Sequence, residues 1–321
     1  MSAGTRNKII QYFKKALAGQ GNVVAADMQP TAPAIYEADR HYIIPGIHAP
    51  GYMDAVLEIC RKEKINGVLS LIDPELSVLA RNEEAFKALG TTVIGSSYAL
   101  CEMSLDKMQM YRFCRNHGFD TVDSWDNLAG FQKAVSSGQA CFPVYVKPRC
   151  GSASEGVVKA NDMAAVEALL TQAKQENSMM IQQALEEQEI GADVYIDMIT
   201  GEVVSIFTKK KLLMRAGETD KAVSIHNKKL FDLIEKFAAE AGYRGEIDID
   251  ILVNGGKYCI SEVNPRFGGG YPHAYECGAD HMKLIVNNLA GSANQKKIGA
   301  YEDGVCMMKY SEIMIQKEDM L

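Results

Sequence analysis

Near the C-terminus, residues 261–270 read SEVNPRFGGG: a carboxylate and an amide two positions apart, then a proline, an arginine and three glycines. They close a hairpin signal in which EIDIDILV and KYCISEVN meet at Asn254–Gly255–Gly256. Strand alternation puts the even-numbered residues of each arm on one face. These are Asp248, Asp250 and Leu252 in the first arm, and Tyr258, Ile260, Glu262 and Asn264 in the second; Ile247, Ile249, Ile251 and Val253 make a core face. A turn with an odd number of residues, such as Gly255–Lys257, brings the two even faces together. Asp250 then lies opposite Glu262, with Asn264 one step further along. Two carboxylates and an amide oxygen so close repel unless a cation sits among them. Oxygen-only ligands suit a hard ion, Mg²⁺ or Mn²⁺, which completes its shell with water and phosphate oxygens. The ordinary alternative is an exposed acidic hairpin end, and a one-residue slip would dissolve the set.

Lys147 ends an apolar strand, two positions before the loop RCGSASEGV. Burying an ammonium without a partner is costly, so Lys147 calls for an anion. Glycine and serine in that loop let backbone N–H groups approach a phosphate, although a glycine-serine hairpin loop is often only a turn. No GxxxxGK[ST] occurs, so this is not a Walker loop. Lys107, in SLDKMQ, reads equally as a helix-surface lysine beside Asp106. The runs Lys209–Lys211 and Lys228–Lys229 read by default as solvated faces. Histidines 226, 273 and 281 could serve as acid or base but read more simply as packing or surface residues; His273, just past the glycines, is the best placed.

These residues must be positioned by more than one kind of scaffold. Residues 1–95 alternate short buried strands (22–27, 67–73, 91–95) with helical patterns (53–64, 74–90), which implies a wound parallel sheet. The chain opens on a loop, Ser2–Arg6, followed by a helix. Either a first strand is missing or the sheet begins at Val23. No GxGxxG follows any strand, so Asp27 at a strand end reads as structural. Residues 98–118 are mostly helical and end on Gly118. From 142 onward, antiparallel hairpins alternate with helices at 161–176 and 227–241.

The net charge of −7 argues against a general nucleic-acid binder. Eight cysteines without a CxxC pair or zinc-ligand spacing read as reduced, mostly buried thiols. No stretch reaches the roughly 20 apolar residues of a membrane span, and the N-terminus has no signal-peptide pattern. The expectation is a cytoplasmic protein acting on small molecules.

The order of parts resembles the ATP-grasp superfamily, and within it the large subunit of carbamoyl-phosphate synthase. The likeness rests on a wound N-terminal domain, a helix carrying DK, a strand ending VKP, the GSASEGV loop, QQALEEQEIGADV and EVNPRFGGG, and spans nearly the whole chain. It implies an α/β and α+β fold. A Rossmann-like parallel-sheet domain at 1–97 precedes a two-lobed domain at 98–321 with antiparallel sheets, a lid lobe at about 110–184 and a larger lobe at about 185–321. It further implies that Lys107 and Lys147 contact the phosphates of ATP, and that Gly151, Ser152, Ser154 and Gly156 belong to a covering loop. Gln182–Leu185, with Gln183 and Leu185, would meet adenine and Glu189 would hold the ribose, with Glu187 as a possible substitute because the hinge reads EEQE. Asp250, Glu262 and Asn264 would bind Mg²⁺. Arg266 would lie against the transferring phosphate and the substrate carboxylate, and Gly268–Gly270 would bind the acid. In RAGETDKAV, Arg215 or Lys211 would help bind phosphate or a second substrate, unless that segment is an exposed loop.

The reading that results is an ATP- and magnesium-dependent ligase joining a small carboxylate to an amine or ammonia through an acyl phosphate. The alternative is a nucleotide-binding regulatory module without turnover. A Rossmann-type oxidoreductase is disfavoured by the missing glycine fingerprint. An exposed sheet edge favours association, for example as a homodimer.

Overall fold

The computed structural model describes residues 1–151, 155–173, 178–185 and 188–317. In the N-terminal region the strands are parallel and wound, as the strand–helix alternation requires. β1 (Val24–Asp27) pairs with β2 (Arg40–Ile43), and β3 (Gly67–Val68) with β4 (Thr92–Val93). The helices here are α1 (Asn7–Leu17), α2 (Tyr52–Glu63), α3 (Asp73–Arg81) and α4 (Glu83–Lys87). Two expectations are corrected. The helix expected at 74–90 is two helices that break at Asn82, whose side chain turns back to donate to the Val78 carbonyl. The strand expected at 67–73 pairs over only two residues, because the two strand pairs are separate sheets. An apolar cavity of about 410 Å³, lined by Ala25, Ala26, Gly67 and Val68, lies between them. Met1 and Ala3 reach its edges: the terminal ammonium donates to Leu69 O (2.8 Å) and Ala3 N to Ala26 O (3.4 Å). Asp27 is structural, accepting from Gly4 N and Gln29 N.

The helical stretch after residue 97 is divided into α5 (Tyr98–Leu105) and α6 (Lys107–Asn116). Asp106, between them, is extended, and its carboxylate caps α6 by accepting from Met108 N at 2.9 Å. Next comes a four-stranded antiparallel sheet of β5 (Ser124–Trp125), β6 (Val144–Pro148), β7 (Val158–Ala160) and β8 (Met179–Gln183), in the order β5-β8-β6-β7. α7 (Leu128–Ser136) and α8 (Met163–Gln172) cover one face through Phe131 and Val166 on Val144, Val146 and Ile181.

The largest sheet is formed by β9 (Glu189–Ile196), β10 (Val203–Arg215), β11 (Glu218–Ser224), β12 (Gly245–Asn254), β13 (Lys257–Asn264) and β14 (Cys306–Met308). Its order is β13-β12-β9-β10-β11-β14, antiparallel throughout. One face is apolar, with Ile190, Val194, Ile206, Ile247 and Ile249 packed on Leu230, Ile234 and Phe237 of α9 (Lys228–Ala241). On the opposite face, Tyr195, Val204 and Phe207 are covered by α1, α10 (Tyr271–Glu276) and α11 (His281–Leu289). The rest of that face carries charge and opens into a cleft. The segment 215–223 is not a free loop: it turns at Ala216–Gly217, both at positive φ, and continues as β11.

The β12–β13 hairpin departs from expectation twice. Its turn has two residues, Gly255 and Gly256, at φ +57° and +79°, the left-handed pair a tight hairpin turn requires. This turn pairs Ile251 with Ile260, so Ile260 belongs to the core and not to the acidic face. One residue later a β-bulge at Ser261 shifts the register, and Asp250 pairs with Glu262 and Asp248 with Asn264.

Candidate functional site

A cleft of about 640 Å³ runs between the four-stranded and six-stranded sheets and is closed at one end by the N-terminal region. Its walls bring together Lys107, Lys147, Gly151, Gln183, Leu185, Glu189, Lys211, Asp250, Glu262, Asn264 and Arg266, which the sequence scatters over 160 positions. Strand alternation accounts for the lower wall: with Ile247, Ile249 and Ile251 in the core, Asp248 and Asp250 must face the cleft.

The same alternation corrects the reading of the lysine run. Lys210 is exposed, but Lys209 and Lys211 point inward. Lys209 is fully buried against Asp193 at 2.5 Å, and Lys211 Nζ bridges Asp250 Oδ1 (2.5 Å) and Glu189 Oε1 (2.7 Å). Burial works against the Lys211 charge, yet Asp250, Glu189 and Asp248 hold its pKa above the ordinary lysine value. Lys228 and Lys229 are solvated, as expected.

Lys147 is half-buried and, among the described residues, pairs with no carboxylate. Its Nζ donates to the neutral Gln182 Oε1 at 2.7 Å, and burial lowers its pKa to about 8 despite the more distant Glu262. It is a cation held ready for an anion. Lys107, at the first position of α6, is no surface lysine. Only 11% of its side chain is exposed, it donates to Gly151 O (2.7 Å), and it lies 3.6 Å from Glu262. The loop stem is tied to the same helix start, with Arg149 on Asp106 at 2.5 Å and Lys107 N donating to Arg149 O. Gly151 lines the cleft, whereas Gly156 packs beside Pro148. Ser152, Ser154 and Glu187 lie outside the described residues.

The acidic side of the cleft carries more negative charge than its lysines offset. Burial raises the Glu262 carboxyl, and Asp250 adds to this against the pull of Lys107 and Lys147. Burial, Asp250 and Asp193 push Asp248 up to about 7. Among the described residues no three His, Cys, Asp or Glu side chains are grouped to hold a metal. The set is two carboxylates and an amide, Asp250, Glu262 and Asn264. Its oxygen donors and the raised Glu262 carboxyl fit a hard divalent ion that takes its other ligands from phosphates.

Other expected residues lie elsewhere or act differently. The Arg215 side chain is 68% exposed, pairs with Asp220 at 3.4 Å and does not line the cleft; Lys211, the other candidate from that region, does. The Gln183 amide is engaged by Cys141 and Pro143. His226 is exposed beside Tyr301, while His273 and His281 are buried; burial brings them down to about 4 and about 3, and neither lines the cleft. Of the cysteines, 60, 101, 114 and 259 are buried, 277 is intermediate, and 141, 150 and 306 are exposed, so burial is less general than expected.

The three glycines have a steric cause. A Cβ at Gly268 would stand 2.5 Å from Asp248 Cγ, at Gly269 2.7 Å from Glu218 Cδ, and at Gly270 2.9 Å from Lys209 Nζ. Each lets an ionisable side chain rest on bare backbone. Arg266, just before them, bonds Asp73 (2.9 Å) and approaches Asp248 (3.7 Å). Asp73, Arg6 and Glu218 were not singled out from the sequence. Asp73 sits where a parallel strand turns into α3, the position at which wound sheets present ligands.

Two family models match the chain: a PylC-like N-terminal domain over residues 1–94, and an ATP-grasp domain "in the biosynthetic pathway with Ter operon" over residues 175–313. Relatives include the arginine-specific carbamoyl phosphate synthase large chain of Bacillus subtilis (strain 168), 23% identical over 82% of this chain and 26% of its own length. The carbamoyl phosphate synthase large chain of Vibrio cholerae is 26% identical over 77% of this chain and 24% of its own. The chain thus spans about a quarter of the length of these relatives. Among solved structures, the biotin carboxylase domain of Hydrogenobacter thermophilus 2-oxoglutarate carboxylase, in complex with MgADP, ADP and bicarbonate, superposes with a TM-score of 0.74 at 18% identity, covering 93% of this chain and 71% of that one. Campylobacter jejuni biotin carboxylase gives 0.74 at 15%, covering 93% and 72%. With a wound N-terminal region, two antiparallel sheets around a charged cleft, and these matches on either side of residue 95, the chain has the ATP-grasp fold and its residues 175–313 match an ATP-grasp family.

Proposed function

We propose that the protein is an ATP- and Mg²⁺-dependent ligase that joins a small carboxylate to an amine or ammonia in the cytoplasm, with residues 1–97 and 98–321 as its two domains. The observation that carries this reading is the cross-strand pair Asp250–Glu262, backed by Asn264, facing the half-buried Lys147 and Lys107 across one cleft. Lys147 and Lys107 bind the nucleotide phosphates, Gly151 and its loop cover them, and Leu185 and the backbone of Gln183 meet the base. Glu189 holds the ribose, and Asp250, Glu262 and Asn264 hold the metal. When bound, Mg²⁺ supplies charge neutralisation at the phosphates.

A carboxylate oxygen of the acid attacks the γ-phosphorus, ADP leaves and an acyl phosphate forms. The amine nitrogen then attacks the acyl carbon, phosphate leaves and the amine loses a proton. Arg266 stands beside the carboxylate and offsets the charge that develops there. Mg²⁺ itself is compatible with the resting ion pair of Lys211 and Asp250, since that lysine has Glu189 as a second partner.

Hydroxylamine trapping tests the reading. Enzyme, Mg-ATP and pooled small carboxylates are expected to yield ADP and acyl hydroxamate, and Glu262→Ala to yield neither. ADP formation that ignores Glu262→Ala would overturn the site assignment.

A further inference from the structure

Three side chains stand in a row across the cleft face of the four-stranded sheet. Val144, Val146 and Ile181 fill its covered face, so Lys147 of β6 and Gln182 of β8 point the other way, and Ser124 of β5 is the cross-strand partner of Gln182. Hydrogen bonds join the three end to end. Ser124 Oγ donates to Val122 O at 2.8 Å, Gln182 Nε2 donates to Ser124 Oγ at 3.1 Å, and Lys147 Nζ donates to Gln182 Oε1 at 2.7 Å. The chemistry of each group fixes the direction of the chain. A backbone carbonyl only accepts, so the hydroxyl proton of Ser124 is committed to Val122 and the Ser124 oxygen is left to accept. The amino end of the Gln182 amide therefore faces Ser124, and its carbonyl end faces the ammonium. Ser124 and Gln182 are only 5% and 7% exposed, which shelters both links from solvent.

The neutrality of this holder sets Lys147 apart. On the facing sheet, Lys209 is held by Asp193, and Lys211 by Asp250 and Glu189. Lys147 is held by an amide, and the charged groups that face it act from further away: Glu262 on β13, Asp250 on β12, Glu189 on β9 and Lys107 on α6. A carboxylate in the place of Gln182 would neutralise the ammonium and repel an incoming phosphate. An amide fixes the direction of Nζ and leaves its charge available for a charge-assisted bond to an anion. We propose that Gln182 is a positioning residue for nucleotide binding: oriented by Ser124, it aims the Lys147 ammonium into the cleft and leaves the full charge for the phosphates. Ser124 acts one step further back, by keeping the Gln182 carbonyl turned toward the lysine. The assignment deepens the ligase reading and rests on its nucleotide site.

Calorimetric titration of Mg-ADP across pH 7–10 is the test. Lys147 loses its proton near pH 8, so the affinity of the parent should fall across that value. In Gln182→Glu the new carboxylate holds the proton on Lys147. The fall should then move to higher pH by about one unit or more, and the affinity at pH 7 should drop about tenfold. Gln182→Met removes the acceptor that favours the charged form, so the fall should move to lower pH. Ser124→Ala should move it in the same direction by less. Gln182→Glu and Ser124→Ala suffice as a pair if Gln182→Met does not fold, since they shift the fall in opposite directions. A Gln182 that merely filled space would lower the affinity in its variants without moving the fall. A fall that stays at the parental pH in every variant, or a Gln182→Glu that binds Mg-ADP at pH 7 as tightly as the parent, would overturn the proposal. A Lys147→Met protein with parental Mg-ADP affinity would overturn the nucleotide site itself, and the positioning role with it.

Discussion

Asp250 stands directly opposite Glu262 because a single bulged residue, Ser261, separates Glu262 from Ile260. Ile260 and Val263, three positions apart, both reach the apolar core, and Ser261 and Glu262 between them both line the cleft. A regular strand could not place Ile260 and Val263 on one face, since its period is two. The bulge lets a tight two-glycine turn and a paired acidic face coexist in one short hairpin.

Lys147 exchanges stability for readiness. Its folded pKa of about 8 lies below the ordinary 10.5. Between those values the unfolded chain binds more protons, so the unliganded protein gains stability from this group as pH rises from about 8 to 10.5. At pH 7 the full penalty is present. Lys147→Met is expected to stabilise the unliganded protein at pH 7 by about 1–2 kcal/mol, even after Gln182 loses its donor. The same change should weaken Mg-ATP binding, and parental Mg-ATP affinity should fall above pH 8. Urea unfolding and calorimetric titration across pH 7–9 check both.

The glycine run is a packing requirement as well as a feature of the cleft. Gly268→Ala pushes a methyl group onto Asp248 Cγ, which Arg266 holds from the other side. We expect a loss of about 1–3 kcal/mol and weaker substrate binding. Gly255→Asn, in the hairpin turn where asparagine accepts a positive φ, should change stability by only about 0.5 kcal/mol or less. Denaturation midpoints of the two variants give the comparison.

Away from the cleft, His281 donates or accepts between Glu246 (2.5 Å) and Ser205 (2.9 Å) in a wholly buried network. Tyr195, Tyr271, Asp193 and Lys209 surround it. Burial brings His281 down to about 3, and burial with Asp193 and Asp248 pushes Glu246 well above its ordinary value. The folded pair therefore keeps one proton. The unfolded pair keeps two below 4.5, about one between 4.5 and 6.5, and none above 6.5. The pair's contribution is greatest between those two values and declines on both sides. Glu246→Gln removes the alkaline decline, so its stability relative to the parent should rise as pH climbs through 6.5 to 8. A flat difference would mean that Glu246 is ionised in the folded protein.

Lys211 acts as an internal counter-ion for Asp250 and Glu189. Lys211→Met leaves both carboxylates in the cleft without it. The unliganded protein is expected to lose about 3 kcal/mol or more, and Mg²⁺ to restore more stability to the variant than to the parent. Melting curves with and without Mg²⁺ report the difference.

Local patterns carried much of the fold and part of the site. Alternation in 245–264 places Asp250 opposite Glu262 with a three-residue turn, and the two-residue turn observed keeps that pairing because the bulge at Ser261 makes up the missing residue. Bulges leave no mark in alternation, so the assignment of Ile260 to the acidic face could not be avoided. The Lys209–Lys211 run misled because a charged triplet looks solvated until it is placed on a strand whose neighbours supply Asp193, Glu189 and Asp250. Arg6 with Glu218, and Asp73 with Arg266, are contacts between residues about 200 positions apart, and no local periodicity reports them. The split of the N-terminal strands into two pairs was likewise invisible, since each strand reads normally alone.

The central claim is that Asp250, Glu262 and Asn264 hold the divalent ion that accompanies the nucleotide. Its most direct test is electron paramagnetic resonance titration of Mn²⁺ into the protein saturated with ADP, comparing the parent with Glu262→Gln. The account predicts a nucleotide-dependent Mn²⁺ site in the parent whose affinity falls by about tenfold or more in Glu262→Gln. Equal Mn²⁺ affinity in the two proteins would contradict it.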